Sequence, residues 1–313
     1  MSTKTVFMFS GQGSQYFQMG KQLFEVNTVF REWMTRLDDL AHSLCGQRVI
    51  EAIYSSGKSS VFDRTLLTHP AIFMVEYSLA QCLMHQNVKP DLTLGASLGS
   101  FVAAAVAGYL AVEDALAAVI EQALAFEASC ERGGMLAILA DPSLYDEGVL
   151  HRRSEMAGIN FNTHFAVSAA PADLDAIESD LKHRGVSHQR LPVSFAFHSS
   201  RVDKARARFS SFMQSVPRRT GTLPLVCCEQ GATLTELPDD FFWRVVRHPI
   251  RFRDTLAHLE RQGRHRYIDV GPSGTLATFV KYGLSPLSES TAHATLTPYG
   301  QDQKNLAALV ASH

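Results

Sequence analysis

The sequence predicts an α/β protein: a parallel sheet flanked by helices, with a small α+β lobe inserted in it. Short apolar runs ending in glycine alternate with segments of helical periodicity, which is the pattern of a buried parallel sheet. Between about Gly134 and Ser194, three short strand-like runs surround one amphipathic helix, a compact unit of its own. The chain has 313 residues, of which 46% are hydrophobic and 19% charged, enough for one sizeable core and a smaller one.

Taken in order, "TVFMFSG" is a buried strand running into a loop, followed by helical patterning from about Lys21 to Leu44. "HPAIFMVEYSLAQCLMHQ" places proline where a helix begins, with apolar residues at helical spacing. "DLTLGA" is the next strand, and "LGSFVAAAVAGYL", rich in alanine and without charge, is a helix buried on most sides. "GMLAILA", "HFAVSAA" and "QRLPVS" are the three strands of the lobe, with the helix "PADLDAIESDLKHRG" between the last two. "LPLVCC" and "RYIDVGPSG" return to the buried-strand pattern, and the latter turns into a helix at "TLATFVKYGL". With no internal repeat or linker, residues 131–195 read as a lobe inserted in a large domain of residues 1–130 and 196–313.

A net charge of −2 from 29 basic and 31 acidic residues gives no reason to expect nucleic acid or an anionic membrane as partner. No apolar stretch has the length of a membrane helix and the start lacks a signal-peptide pattern, so a cytoplasmic location is expected. The five cysteines are scattered without a CxxC, which fits reduced thiols better than disulfides or zinc, so no metal is expected.

Chemistry points to "GASLG". It fits G-x-S-x-G, in which a serine, here Ser97, sits on a tight strand-to-helix turn above the helix N-terminus. A small-residue packing turn explains the same pentapeptide. Of the 13 histidines, His198 in "LPVSFAFHSSRVD" is the best base for such a serine, although Ser199 or Ser200 capping a helix accounts for the neighbourhood equally well. "SGQGSQ" offers backbone N–H groups for an oxyanion hole, or is a simple glycine turn.

Together, strand-GQGSQ, strand-GASLG-helix, FHSS and DVGPSG, in this order from Val6 to about Gly283, resemble the acyltransferase family typified by malonyl-CoA:acyl-carrier-protein transacylase and polyketide synthase acyltransferase domains. The resemblance implies an α/β-hydrolase-like large domain with a ferredoxin-like small lobe, acting on acyl thioesters of phosphopantetheine on acyl carrier protein or CoA. It implies no bound cofactor and a monomer. It makes Ser97 the nucleophile, His198 its base, and the backbone N–H groups of Leu98 and Gln12 the oxyanion hole. It implies too that a backbone carbonyl in "WRVVRHP" orients the histidine, with Val245 at a position often held by Gln, and that Asn160 in "GINFN" lies near the serine turn.

Three departures stand out. Ala96 replaces the histidine of the usual GHSLG, and His69 in "THPA" replaces the Gln of TQPA. Gln122 stands where the family's carboxylate-binding arginine is expected, and Glu121 beside it disfavours malonyl further if it faces the pocket. An uncharged acyl group is therefore expected, with Phe197 restricting branching beside its carbonyl or simply packing the core. Four functions follow: an editing acyl hydrolase like the stand-alone acyltransferase-like proteins of polyketide pathways with separate acyltransferases, a transferase for a non-malonyl starter, malonyl transfer through another cation, and an idle interaction module. All but the last require carrier-protein docking, for which "HRRSE", "KARARF" and "RRT" are basic enough, although such runs are usually solvated helix faces.

Overall fold

The computed structural model describes residues 3–54 and 61–311. They form ten strands, thirteen α-helices and two short 3-10 helices. The chain opens with β1 (Lys4–Phe9), α1 (Lys21–Val26), α2 (Thr28–Cys45), α3 (Val49–Tyr54) and α4 (Thr65–His85). β2 (Leu92–Gly95), α5 (Gly99–Val106) and α6 (Val112–Ser129) follow. The small lobe comprises β3 (Gly134–Ile138), α7 (Val149–Arg153), β4 (Glu155–Phe161), β5 (His164–Ala169), α8 (Pro171–His183) and β6 (His188–Arg190). The chain then returns through α9 (Arg206–Ser215), β7 (Leu225–Cys227), β8 (Ala232–Leu234), α10 (Phe241–Arg247) and α11 (Phe252–Glu260). It ends with β9 (His265–Asp269), α12 (Thr275–Gly283), β10 (Thr291–Ala294) and α13 (Asp302–Ala311).

The large sheet has the order β10-β9-β1-β2-β7-β8. All its pairs are parallel except β7 with the short edge strand β8. Its central strands are apolar because helices cover both faces: Val6 to Phe9 are fully buried, with Phe7 and Phe9 in one core cluster and Val6 and Met8 in the other. The small sheet, β4-β5-β3-β6, is antiparallel, and α8 covers one of its faces through Leu174, Ile177 and Leu181.

The expected strands of both sheets form. The lobe adds β4, which no apolar run marks in the sequence, and the single helix expected from Lys21 breaks into α1 and α2 at Asn27, whose side chain accepts the Phe30 N–H at 3.0 Å. β4 ties the lobe to the segment between α10 and α11: Ile250 exchanges backbone hydrogen bonds with Ile159 and Ala157 at 2.8 and 2.9 Å. Gly158 permits this approach, since a Cβ there would lie 2.9 Å from Ile250 Cβ. Among the described residues no helix is long and apolar enough to cross a membrane.

Candidate active site

The serine turn is built by close packing. β2 ends at Gly95, opposite Phe9 of β1, and the Ala96 N–H donates to the Phe9 carbonyl at 3.0 Å. Gly99 then passes so near β1 that a Cβ would lie 2.1 Å from the Phe9 carbonyl oxygen, which no side chain can accommodate. Between them Ser97 is held at φ 55°, in the left-handed region that a non-glycine residue enters at a cost of about 1–2 kcal/mol. The strain lifts its hydroxyl out of the sheet toward solvent; Ser97 is half-buried, whereas Leu98 and Gly99 on either side of the helix start are buried.

The loop after β1 presses against this turn from the other side. A Cβ on Gly11 would lie 2.9 Å from Ser97 Cβ and 3.5 Å from its Oγ. Side chains satisfy much of the loop: Gln15 accepts the Gly13 N–H at 2.7 Å, and Gln12 Nε2 donates to Thr68 at 2.7 Å. Among the described residues no acceptor takes the backbone N–H of Gln12 or of Leu98. Two free donors thus flank the serine, which is the requirement for holding an oxyanion.

His198 meets Ser97 from the segment that follows β6. Its Nε2 lies 2.8 Å from Ser97 Oγ and its Nδ1 lies 2.7 Å from the His248 carbonyl oxygen. A carbonyl can only accept, so Nδ1 carries the proton and Nε2 is free to accept from the serine. The histidine is itself at φ 59°, and its N–H donates to the Val246 carbonyl at 3.0 Å. The residues before and after it are also tied down, Ser168 of β5 to the Phe197 carbonyl and Ser199 to the Ala196 carbonyl. Burial lowers the His198 pKa to about 4; the hydrogen bond to His248 opposes this, and nearby His248 and Arg247 reinforce it. The orienting carbonyl lies in "WRVVRHP" as the resemblance implies, but Val245 is buried in the large core and is not on the cleft.

A cleft of about 360 Å³ opens between the small sheet and the serine turn. Gln12, Ala96, Ser97, Asn160, Phe197 and His198 line it, so six of the residues singled out in the sequence come together. Asn160 is committed to His164, with Nδ2 2.9 Å from the ring Nδ1. Ile250, Phe279 and His164 line the cleft without having been anticipated, and neither motif nor spacing announces them. Among the described residues on its wall there is no lysine, arginine, aspartate or glutamate.

Gln122 and His69 do not reach that wall. Both are buried, on α6 and α4, behind a cluster in which Phe197 lies 5.6 Å from the His69 ring and 5.3 Å from Phe126. Gln122 is one helical turn before Phe126, and its amide has no protein partner among the described residues. Burial pushes the His69 pKa down to about 3, so this residue supplies no cation. Glu121 points the other way and pairs with Arg208 at 2.6 Å. Arg132 belongs to a separate surface pocket with Arg64 and Glu127. The basic runs are largely engaged at the surface, Arg153 with Asp173, Lys204 with Glu131 and Arg218 with Asp239. Among the described residues no group of His, Cys, Asp and Glu side chains is arranged to hold a metal ion.

The strain at Ser97, the paired imidazole and the two free N–H groups form an arrangement suited to acyl transfer through a serine ester. Comparison with known proteins points to the acyl transferases. The chain is 45% identical to the polyketide biosynthesis acyltransferase homolog BaeD of Bacillus velezensis, over 98% of this chain and 95% of that protein. It is 44% identical to PksD of Bacillus subtilis, described in the same words, with the same coverage. Among solved structures, the acyltransferase domain from the second module of the salinomycin polyketide synthase superposes with a TM-score of 0.85 at 26% identity, covering 98% of this chain and 72% of that one. MCAT from Streptococcus pneumoniae does so with a TM-score of 0.81 at 26% identity, covering 99% and 100%. The acyl transferase domain family matches residues 6–312, and the chain belongs to that family.

Proposed function

We propose that this protein is a serine acyl hydrolase that removes uncharged acyl groups, such as acetyl, from the phosphopantetheine arm of an acyl carrier protein in polyketide biosynthesis. One observation carries the reading: among the described residues the wall of the cleft beside Ser97 has no lysine or arginine, and Gln122 stands buried where the resemblance calls for an arginine. A malonyl carboxylate drawn into this cleft would lose hydration without gaining a counter-charge, whereas an acetyl group has nothing to lose. Support for the setting comes from the relatives BaeD and PksD, both described as polyketide biosynthesis acyltransferase homologs.

Ser97 Oγ attacks the thioester carbonyl as His198 Nε2 takes its proton, and the N–H groups of Gln12 and Leu98 hold the developing oxyanion. Collapse expels the pantetheine sulfur, which receives that proton from His198 and leaves as a thiol. Water then attacks the Ser97 ester, giving its proton to the same imidazole, and the free acid departs as Ser97 regains its hydrogen. His198 is suited to both turns because it is neutral at physiological pH.

A second reading keeps the acyl-Ser97 ester and replaces water by the thiol of an unloaded carrier protein; membership of the acyl transferase family favours it. Mass spectrometry of acetyl- and malonyl-loaded carrier protein separates the two. Loss of acetyl as free acid, with malonyl untouched and Ser97→Ala inert, supports editing. Loading of unloaded carrier protein from acetyl-CoA, with acetyl-carrier protein left intact, replaces it by transfer.

A further inference from the structure

Behind the loop that carries Gln12 lies an acid for which the reaction above has no use. Glu76 is the lone charged residue in "AIFMVEYSLA", a stretch of α4 in which every residue is buried. Its own exposure is zero. Burying a carboxyl is costly, and an apolar side chain would fill the space without that cost. What the carboxyl gains is the start of the oxyanion loop: Oε1 accepts the Ser10 N–H at 2.7 Å and lies 2.7 Å from the Ser10 hydroxyl.

Ser10 passes the constraint on. Its Oγ lies 2.9 Å from Ser14 Oγ, and the Ser14 hydroxyl donates to the Gly11 carbonyl at 2.8 Å. Gly11 is the residue that touches Ser97, and its carbonyl belongs to the same peptide unit as the Gln12 N–H. On the far side Gly271 closes against Ser10, where a Cβ would come within 2.4 Å of Oγ. The neighbouring Asp269 is occupied with the N–H groups of Gly271 and Ala277 and does not compete for the serine.

We propose that Glu76 is a positioning residue: through Ser10 and Ser14 it fixes the peptide plane between Gly11 and Gln12, and so aims the Gln12 N–H at the oxyanion formed on Ser97. This rests on the acyl-Ser97 reading given above. Burial raises the Glu76 carboxyl well above the ordinary carboxylate range, so the neutral amide of Gln is a close mimic that keeps the accepting oxygen.

The test uses the full chain with two probes, a fluorophosphonate that labels the active serine, read by intact mass, and the acetyl thioester of N-acetylcysteamine. Glu76→Leu is expected to slow labelling and kcat about 10- to 100-fold, as for a displaced oxyanion donor, with KM for the thioester little changed. Glu76→Gln should stay within about threefold of the parent in both, a rescue that a general loss of stability would not give. Ser10→Ala, which keeps the backbone N–H and removes the hydroxyl, should lose about 3- to 10-fold and serves where Glu76→Leu does not fold. A folded Glu76→Leu or Ser10→Ala variant that labels at the parent rate overturns the proposal, as does a Glu76→Gln variant as impaired as Glu76→Leu. Ser97→Ala separates the two levels: if it still releases acetyl at the parent rate, the acyl-enzyme reading falls and this proposal with it. If it is inert while the Glu76 and Ser10 variants are unimpaired, only the positioning role is lost.

Discussion

Gln122→Arg would place a cation behind the Phe197 ring, where the resemblance calls for one, and the structure sets what that costs. The side chain at 122 is fully buried, so the guanidinium starts in a dry environment. Among the described residues the nearby carboxylates are all engaged: Glu121 is held outside by Arg208, Glu127 accepts the Leu66 N–H, and Glu76 accepts the Ser10 N–H. A buried charge without a partner costs about 3–5 kcal/mol. At about 2.1 cal/mol/K of unfolding entropy per residue, a chain of 313 residues loses about 5–8 °C of Tm. An arginine long enough to pass the Phe197 ring meets the carboxylate of a malonyl thioester in the cleft; the same ~3 kcal/mol then returns as selectivity, and the ratio of malonyl to acetyl kcat/KM should rise about 100-fold. Differential scanning fluorimetry without ligand, and kcat/KM with acetyl- and malonyl-carrier protein, measure the two halves. A variant as stable as the parent would refute the claim that position 122 is sealed and uncharged. One that loses Tm while its malonyl-to-acetyl ratio stays put would show that this position does not read the acyl group, and the preference for uncharged groups would need another cause.

Two further outcomes test the reacting centre. Gly11→Ala places a Cβ 2.9 Å from Ser97 Cβ and 3.0 Å from the Ala96 carbonyl oxygen, so the oxyanion loop must retreat. Steady-state kinetics should show kcat lowered about 10- to 100-fold, and an unchanged kcat would remove the Gln12 N–H from the mechanism. The pH profile follows from His198: only the neutral ring can take the serine proton, and burial lowers its pKa to about 4. Activity should therefore be lost as pH falls through about 4, not near the ordinary histidine value of about 6.5, and an acid limb of kcat/KM at the ordinary value would contradict the burial of this ring.

How far the sequence discloses this protein depends on whether a side chain or a backbone atom does the work. The central strands were legible because helices on both faces demand continuous apolar runs, as in "TVFMF". β4, β8 and β10 were not. β8 and β10 are short strands at the two edges of the large sheet, half-buried or partly exposed, and without the apolar run that marks a central strand. β4, "EMAGINF", alternates poorly because it is covered partly by Ile250 on one flank and carries irregular register against β5 on the other.

The site divides in the same way. Ser97 was legible because its turn needs glycine at 95 and 99, and His198 because it ends an apolar run. The atoms that equip them are the His248 carbonyl and the N–H groups of Leu98 and Gln12, and a backbone atom leaves no mark in residue identity. Helical spacing could place Gln122 on a face of α6, but not reveal that Phe197, 75 positions later, stands between that face and the cleft. This separation has a functional consequence. Ser97 and His198 are carried by the β2 turn and the segment after β6, whereas position 122 belongs to the α4–α6 interface, on the other side of the Phe197 ring. The 2.8 Å contact between His198 and Ser97 is therefore built without a contribution from the side chains at 69 and 122, and a chain with a neutral α4–α6 interface keeps that contact intact.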